Sequence, residues 1–384
     1  MNRSRNDPHG CFPGDGFFDT SEEKFRHSFI EWLSRHPPPT GNHVDQRFIN
    51  EHRSWQREAA RDGYGALHWP RAYGGSERPL GEQLVAAEEL ALRGYDFTIL
   101  VASLYLAGPL LMAYGTAKQR DQHLPLILEG KEHWCQLWSE PDAGSDLASV
   151  ATKAVLDGEQ FIVTGQKVWS SYAHFAHKGL LVCRSDPEST RHRGISLLML
   201  DLNAPGVTVR PIRQMNDRSH FNEVFLDEVI VPISSLIGPL NDGWNAVRSV
   251  MGSARSIITI AYFGHFLARM NRSFSRTENE WRDAYVETWS ALALHRLTTM
   301  RSVSGSTATL ALASLGKLLA TRSQQAVARL EAAGLGPTIL AHNGSDENSL
   351  ALADWLELPG FSIAGGTTEV QKNIISEQHL GLPR

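Results

Sequence analysis

The most informative stretch of this chain runs from residue 134 to residue 171 and reads WCQLWSEPDAGSDLASVATKAVLDGEQFIVTGQKVWSS. A tight Glu-Pro turn leads into Gly144-Ser145-Asp146. Two segments of alternating apolar and polar residues follow and are joined through Asp157-Gly158. Period-two alternation that is bounded by turn residues predicts β-strands. The stretch therefore marks the start of a strand-rich region.

The strand pattern continues to about residue 230. Short segments rich in Val, Ile, Leu and Phe are separated by turn residues such as Asp186-Pro187. This rhythm is typical of a small antiparallel barrel or sandwich. The predicted strands lie at residues 150–156, 160–165, 179–184, 194–201, 206–213 and 222–230.

Helical patterns flank the strands on both sides. The first begins near residue 19, where Thr20 or Ser21 is expected to cap a helix that ends at residue 35. Because strands do not alternate with helices and no GxGxxG sequence is present, a Rossmann sheet is disfavoured. We expect a mainly helical α+β protein with helical patterns at 19–35, 45–62, 80–93, 97–128, 283–300 and 310–330.

Changes in sequence texture predict three domains after a disordered segment. Residues 1–18 are polar and rich in Gly and Pro, which predicts disorder. We expect an N-terminal α-helical domain over 19–131, a central antiparallel β-barrel or sandwich domain over 132–240 and a C-terminal helical bundle over 241–384.

Composition narrows the class of function. The 384 residues have a formal net charge of −5 and no basic half, so nucleic acid is not an expected partner. No apolar run approaches the roughly 20 residues that span a bilayer, and the N-terminus lacks the apolar core of a signal peptide. Three widely spaced cysteines indicate reduced thiols and a cytoplasmic protein. The sixteen histidines lack metal-ligand spacing, so no metal is expected.

Four segments together resemble the acyl-CoA dehydrogenase family of flavoproteins. They are the 134–171 stretch, HFNEVFLDEVIVP (220–232), NDGWNAVRSVM (241–251) and GGTTEVQKNIISEQHLGLPR (365–384). Each segment is weak evidence alone, but their order and separations match the family from about residue 20 to the end of the chain. The resemblance implies FAD as cofactor, the Cα–Cβ bond of an acyl thioester as the reacting bond, and a C-terminal four-helix bundle.

The resemblance also implies which residues contact the cofactor. Ser139 matches a hydroxyl that donates to the N5/O4 edge of the flavin, although outside the family context a turn or cap residue is the favoured interpretation. Glu369 matches a contact near the FAD diphosphate, where a carboxylate would repel phosphate unless it faces a hydroxyl. The implied set is Gln136, Trp138, Ser139, Gly144, Ser145, Trp169, Ser171, Thr367, Glu369 and, reaching the cofactor of a neighbouring subunit, Arg282.

The resemblance does not supply a catalytic base. The family removes a proton α to the thioester carbonyl with a Glu. Most members carry this Glu just before the Gly-Thr of the C-terminal signature, where this chain has Gly365. A second group carries it in a Glu-Arg pair ten residues after the Gly-Trp motif, where this chain has Ala254 and Arg255. Both base positions are therefore vacant, although the Gly365 backbone N–H could still polarise the carbonyl.

Three interpretations stay open. In the first, the chain is an active dehydrogenase with a relocated base, for which Glu347, Asp354, Glu357 and Tyr172 are candidates. In the second, it is one subunit of a hetero-oligomer whose partner chain supplies the Glu, as in family members that act on steroid side-chain thioesters. In the third, it performs specialised biosynthetic chemistry on a carrier-bound acyl or aminoacyl group, as an oxidase, a monooxygenase or a non-desaturating enzyme.

The implied partners follow from the same resemblance. The substrate would be an acyl-CoA or a group bound to a carrier protein, and an electron-transfer flavoprotein is a possible electron acceptor. Further subunits would form a homodimer, a homotetramer or a heteromer. Arg184, Arg191 and Arg193 lie in the loop near which the family binds the CoA nucleotide or phosphopantetheine, but a solvated charged turn explains them equally well.

Overall fold

The structure, a computed structural model, describes residues 19–41, 45–96, 98–274, 282–304, 310–340 and 347–383. Within these ranges, side chains are not described at 251–257, 271–274, 302–304, 310–311 and 347–349. The disorder expected for residues 1–18 lies outside the described residues. The chain forms two compact units, a sheet unit (His43–Glu77 and Thr98–Ala254) and a bundle unit (Met1–Asn42, Arg78–Phe97 and Arg255–Arg384).

The expected order of helices, then strands, then helices is confirmed. A π-helical segment, Val101–Ala107, runs between α4 and α5, and a second one, Ile375–His379, follows α11. The helices are α1 (Thr20–Arg35), α2 (Gln46–Arg61), α3 (Leu80–Leu92), α4 (Thr98–Leu100), α5 (Gly108–Tyr114), α6 (Ala117–Leu128), α7 (Gly243–Phe274), α8 (Arg282–Ser304), α9 (Leu310–Leu335), α10 (Glu347–Ile363) and α11 (Thr368–Ile374).

The sheet unit is built around one curled sheet. Its strands are ordered β1-β4-β2-β3-β7-β6, and β5 pairs with β4. The strands are β1 (Trp134–Leu137), β2 (Lys153–Asp157), β3 (Gln160–Lys167), β4 (Lys178–Arg184), β5 (Ile195–Asp201), β6 (Val207–Ile212) and β7 (Phe221–Pro232).

Most pairings in this sheet are antiparallel, but β4 pairs in parallel with β1, from Trp134 opposite Lys178 to Leu137 opposite Leu181, and with β2 where Lys153 lies opposite Arg184. Parallel strands need a long crossover. Here the β2–β3 hairpin and its flanking loops provide that crossover, which the strand pattern alone does not reveal. Inward side chains such as Phe161, Leu198 and Val224 are fully buried and form the core of the sheet.

The first helix, Thr20–Arg35, agrees with the expected 19–35, but its cap is Asp19. The expectation of Thr20 or Ser21 is wrong, because the Asp19 carboxylate accepts from the N–H groups of Ser21 at 2.7 Å and Glu22 at 2.9 Å. The Glu22 carboxylate accepts from the Asp19 N–H at 2.8 Å, which completes a capping box. An Asp followed three residues later by Glu is the sequence signal for this arrangement.

Buried ion pairs join three helices of the bundle unit. Arg26 of α1 donates to Glu89 of α3 at 2.7 Å, and Arg296 of α8 donates to Glu88 of α3 at 2.8 Å. Burial disfavours the charged form of Arg26, but the nearby carboxylates of Glu88 and Glu89 outweigh burial and raise the pKa of Arg26. Because removing one partner of a buried pair leaves an uncompensated charge, these contacts fix α1, α3 and α8 in one arrangement.

No helix within the described ranges is both long and apolar enough to cross a membrane.

Candidate functional site

The turn after β1 is tied to the end of β3. The Val168 N–H donates to the Ser139 carbonyl at 2.9 Å, and Lys167 Nζ donates to the Trp138 carbonyl at 3.0 Å. Trp138 and Ser139 are half-buried, and Trp169 comes directly after the tied residue Val168. The structure therefore brings together residues that the sequence places about 30 positions apart.

A buried ion pair stabilises this connection. Lys167 Nζ lies 2.7 Å from Glu140 Oε1, and the Glu140 carboxylate also accepts from the N–H groups of Ala151 at 2.7 Å and Thr152 at 2.9 Å. Burial alone would raise the pKa of Glu140, but the Lys167 ammonium and these donors outweigh burial and hold that pKa below its usual value. Burial lowers the pKa of Lys167, and the Glu140 carboxylate opposes this. The pair therefore keeps the turn after β1 attached to β3.

Glu140 and Lys167 are not among the residues predicted from the sequence, although the sequence carries a signal for them. In β3, Phe161 and Val163 point into the core with period two, and Lys167 falls on the same phase and is fully buried. A lysine in the inward phase of a strand needs a carboxylate partner. The Glu of the Glu-Pro turn is that partner.

The segment after β3 is held on its other side by β7. Asn222 is fully buried, and its amide donates to the Ser170 carbonyl at 2.8 Å while the Ser170 N–H donates to the Asn222 carbonyl at 3.0 Å. The Tyr172 N–H donates to the His220 carbonyl at 2.7 Å. Trp169 and Tyr172 both have left-handed backbones, with φ of +60° and +55°. Such conformations cost free energy in bulky residues and persist only where surrounding bonds enforce them.

The residues at this end of the sheet fit a flat, polar-edged aromatic group. The Trp169 ring is 57% exposed and meets Phe221 edge-on, with 5.9 Å between ring centroids. Trp138 Nε1 is buried and has no hydrogen-bond acceptor among the described residues. An exposed aromatic face beside an unused buried donor suits the isoalloxazine of FAD, which has a π surface and carbonyl acceptors.

The remaining predicted residues of the sheet unit lie near this end. Gln136 is half-buried in β1 opposite Leu180, and Ser171 is half-buried between Trp169 and Tyr172. Gly144 and Ser145 are exposed in the bend that directly follows the turn closed by the Glu140–Ala143 bridge. The space beside the Gly144 Cα is open, which permits the close approach of a ligand to the backbone.

The C-terminal signature lies in the bundle unit and begins in the turn between α10 and α11. Gly365 and Gly366 have φ of +68° and +98°, which other residues adopt only with strain. Thr367 caps α11 by accepting from the Val370 N–H at 3.2 Å, and Glu369 is exposed in the first turn. Among the described residues, the Gly365 N–H has no acceptor, so it is available to a ligand.

Three further predicted residues lie in helices. Ala254 and Arg255 are in α7, within the segment whose side chains are not described. Arg282 is the first residue of α8 and is exposed.

Arg184 has a structural role in its loop. Its guanidinium donates to the carbonyls of Ala148 at 2.8 Å, Arg191 at 3.1 Å and Arg193 at 2.5 Å. These bonds consume donors that a phosphate would need, so Arg184 shapes the loop, while Arg191 and Arg193 are exposed.

Comparison with known proteins identifies the family. Residues 19–131 match the family model described as acyl-CoA dehydrogenase, N-terminal domain, and residues 135–229 match that of the middle domain. The acyl-CoA dehydrogenase IpdE1 of Mycobacterium tuberculosis is 32% identical over 347 residues, which cover 88% of this chain and 89% of IpdE1. The chain belongs to the acyl-CoA dehydrogenase family. The expected FAD cofactor and the expected class, an oxidoreductase of acyl thioesters, are thereby confirmed.

A second relative differs in length. The acyl-CoA dehydrogenase FadE34 of Mycobacterium tuberculosis is 36% identical over 332 residues, which cover 84% of this chain but only 45% of FadE34. The chain therefore spans less than half the length of that relative.

Two solved structures share the fold across almost the whole chain. The ChsE4-ChsE5 complex from Mycobacterium tuberculosis superimposes with a TM-score of 0.83 at 27% identity, covering 96% of this chain and 99% of that chain. The Tcur3481-Tcur3483 steroid ACAD superimposes with a TM-score of 0.79 at 26% identity, covering 95% and 97%. Neighbours of this fold thus include assemblies of two different chains.

Proposed function

We propose that the chain is the FAD-binding subunit of a two-chain acyl-CoA dehydrogenase in which a partner chain supplies the catalytic base. The proposal rests on a contrast between two parts of the chain. The segments expected to bind flavin are held together by the buried Lys167–Glu140 pair, whereas the two family base positions hold Gly365 and Ala254. Loss of a general base costs roughly 10²- to 10⁴-fold in rate. An efficient dehydrogenase therefore needs a carboxylate from elsewhere.

One of the chain's own candidates for a relocated base, Asp354, is already engaged in an ion pair. Asp354 Oδ2 lies 3.2 Å from Arg269 Nη1, and Arg269 also pairs with Glu331, so Asp354 holds α10 to its neighbours. The Tyr172 hydroxyl lies 3.2 Å from Thr98 Oγ1. Glu357 is half-buried in α10, and the Glu347 side chain lies outside the described set.

The comparisons support a heteromer over a homo-oligomer. Two structures of 26% and 27% identity are described by the names of two chains. FadE34 also leaves more than half of its length outside the match, which is enough for a second domain of similar size. A partner that carries a Glu where this chain has Gly365 would complete the site.

The residues of this chain would bind, orient and polarise. Trp138, Ser139, Trp169 and Ser171 would hold the flavin, which supplies a two-electron acceptor for the hydride from the β-carbon. The exposed Gly365 N–H would donate to the thioester carbonyl oxygen as negative charge develops there. The partner's carboxylate would take the α-proton in the same step, which leaves a Cα–Cβ double bond.

The substrate class that we propose is a bulky acyl thioester of the steroid side-chain type. The support is the 26% identical structure described as a steroid ACAD. In the sheet unit, a cleft of about 380 Å³ is lined by Lys153 and Arg191 and is stiffened by Arg184. These exposed cations suit the phosphates of CoA or of a carrier's phosphopantetheine.

The test is a comparison of the chain alone with the chain plus its complement. The FAD-loaded chain is mixed with straight-chain, branched and steroid acyl-CoA thioesters, and flavin bleaching is followed without oxygen. We expect slow or absent bleaching alone, and fast bleaching after co-expression with a family member that retains the C-terminal Glu. Fast bleaching by the isolated chain would contradict the proposal and indicate a relocated base.

Two variants with matched controls test the vacant positions. Gly365→Glu and Ala254→Glu add a carboxylate, while Gly365→Gln and Ala254→Gln add the same bulk without charge. The Cβ of a residue at 365 would meet no atom within 4 Å, and the backbone strain at a φ of +68° is shared by Glu and Gln, so the Gln variant controls for it. A gain with one of the Glu variants but not with its Gln control is expected. Equal behaviour of both pairs, with FAD retained, would show that the missing carboxylate is not what limits the chain.

A further inference from the structure

A buried lysine closes the C-terminal end of α10. Lys317 of α9 is 8% exposed, and its Nζ donates to the carbonyls of Phe361 at 3.1 Å and Ser362 at 3.0 Å. A third acceptor, Thr321 Oγ1, lies 3.1 Å away. An ammonium has three N–H bonds, and here three oxygens surround it. The last turn of α10 is thus fixed by a side chain from another helix.

A buried glutamine fixes the other side of the same turn. Gln371 of α11 is fully buried, and its Nε2 donates to the Gly365 carbonyl at 2.9 Å and more weakly to the Gly366 carbonyl at 3.4 Å. A Cβ on Gly366 would lie 2.3 Å from this nitrogen, so the amide fills the space beside the turn. Lys317 therefore holds residues 361 and 362, shortly before Gly365, and Gln371 holds the two glycines. Together these two side chains form a clamp on the turn.

The clamp leaves one group unused. The Gly365 N–H has no acceptor among the described residues, and Gly365 is exposed. Two consecutive glycines with positive φ would be free to change conformation without the clamp. A backbone donor stabilises a developing oxyanion only if its direction is fixed before reaction.

We infer that Lys317 and Gln371 are positioning residues that aim the Gly365 N–H at the carbonyl oxygen of the thioester. The inference rests on the proposed function, because it needs Gly365 to serve as the oxyanion donor. A purely structural helix cap would not need to be buried, since removing a lysine from water is costly and a terminal carbonyl can bond to solvent. The clamp would thus preserve polarisation of the carbonyl in a chain that lacks the carboxylate.

The experiment uses the FAD-loaded full chain and acetoacetyl-CoA, a thioester whose α-proton is acidic enough to titrate. The enolate of the bound probe is measured by difference absorbance against pH, without any need for turnover. Lys317→Met should reduce the enolisation constant of the bound probe by about 10- to 100-fold, the cost of misplacing one donor. Gln371→Met should act in the same direction, and Lys317→Arg should restore most of the effect.

A stability control separates positioning from simple weakening. Val327→Ala shortens a fully buried side chain of the same helix α9 and should lower the melting temperature without changing enolisation of the bound probe. In Lys317→Met, amide hydrogen exchange should accelerate in residues 361–372 in particular. If Val327→Ala weakens the enolate as much as Lys317→Met does, the lysine is only a stabilising cap and the inference is wrong.

The outcomes also distinguish this inference from the proposed function. If the unmodified chain favours the enolate and Lys317→Met does so equally, the positioning role alone fails. If the unmodified chain binds the probe without favouring the enolate, Gly365 does not donate to the carbonyl. The positioning role of Lys317 and Gln371 is then refuted as well. Dependence on a partner carboxylate is decided separately, by the bleaching comparison.

Discussion

Lys167→Met tests the connection between the two strands that carry the flavin contacts. Met keeps the length of the side chain but removes the ammonium, which lies 2.7 Å from the Glu140 carboxylate and 3.0 Å from the Trp138 carbonyl. The Lys167 side chain is 0% exposed and that of Glu140 is 8% exposed. Removing one partner of a buried pair costs about 3–5 kcal/mol of unfolding free energy. Because two backbone N–H groups still bind Glu140, we expect a loss near the lower end, about 3 kcal/mol.

The loss should depend on pH. In the unmodified chain the pKa of Glu140 is below its ordinary value of 4.5, so the pair adds stability above that value and loses it as pH falls through the folded pKa. In Lys167→Met, loss of the ammonium raises the pKa of Glu140 relative to the unmodified chain, so the stabilising contribution of this carboxylate decreases. The difference in stability between the two proteins should be largest near neutral pH and should shrink as pH falls below the ordinary value of 4.5.

The assay is urea unfolding followed by circular dichroism, with bound FAD measured in parallel. Lys178→Met is the matched control, because Lys178 pairs with Asp201 at 2.8 Å in the same sheet but both side chains are partly exposed. That pair should contribute less than about 1 kcal/mol. Lys167→Met should also lose FAD, since the turn that carries Trp138 and Ser139 is released. A Lys167→Met variant no less stable than Lys178→Met would refute the reasoning.

Three further predictions concern the same molecule. Trp169→Ala should weaken FAD binding but cost less than about 1 kcal/mol of unfolding free energy, because Trp169 is 57% exposed. An unchanged FAD affinity in equilibrium titration would contradict the role of the ring. Asn222→Ala should cost about 2–3 kcal/mol of unfolding free energy in urea, since it leaves the Ser170 carbonyl without its donor, and FAD affinity should fall as well. An unchanged stability would mean that β7 does not hold the segment after β3. Burial lowers the pKa of His295 from 6.5 to about 3, so the free energy of unfolding should fall as pH drops below 6.5, by about 1.4 kcal/mol per pH unit for this residue. His295→Phe should make stability less dependent on pH in this range. An unchanged pH dependence would contradict the role of His295.

Much of the fold follows from the spacing of apolar residues and from the turn residues that separate the apolar segments. The strand at 160–167 and the helix at 80–92 were predictable, because alternation and helical spacing set which face is buried. The parallel pairing of β1 with β4 was not, because strand neighbours are chosen by three-dimensional packing rather than by local sequence. The cap at Asp19 was missed because several adjacent residues could serve, and only geometry selects one.

The candidate site shows a similar division. Trp169, Ser139 and Gly365 could be proposed from the family resemblance, because the motifs fix their register. Glu140 and Lys167 could have been paired from the inward phase of Lys167, but Lys317 and Gln371 could not. Their acceptors are backbone carbonyls of a distant turn, and a carbonyl leaves no residue-specific trace in the sequence.

The most direct test of the account is anaerobic flavin reduction by an acyl thioester in the FAD-loaded chain, measured alone and with a complementary chain that retains the C-terminal Glu. We expect little bleaching of the isolated chain by the acyl-CoA panel and rapid bleaching of the two-chain complex. Rapid bleaching of the isolated chain, unchanged by the partner, would contradict it.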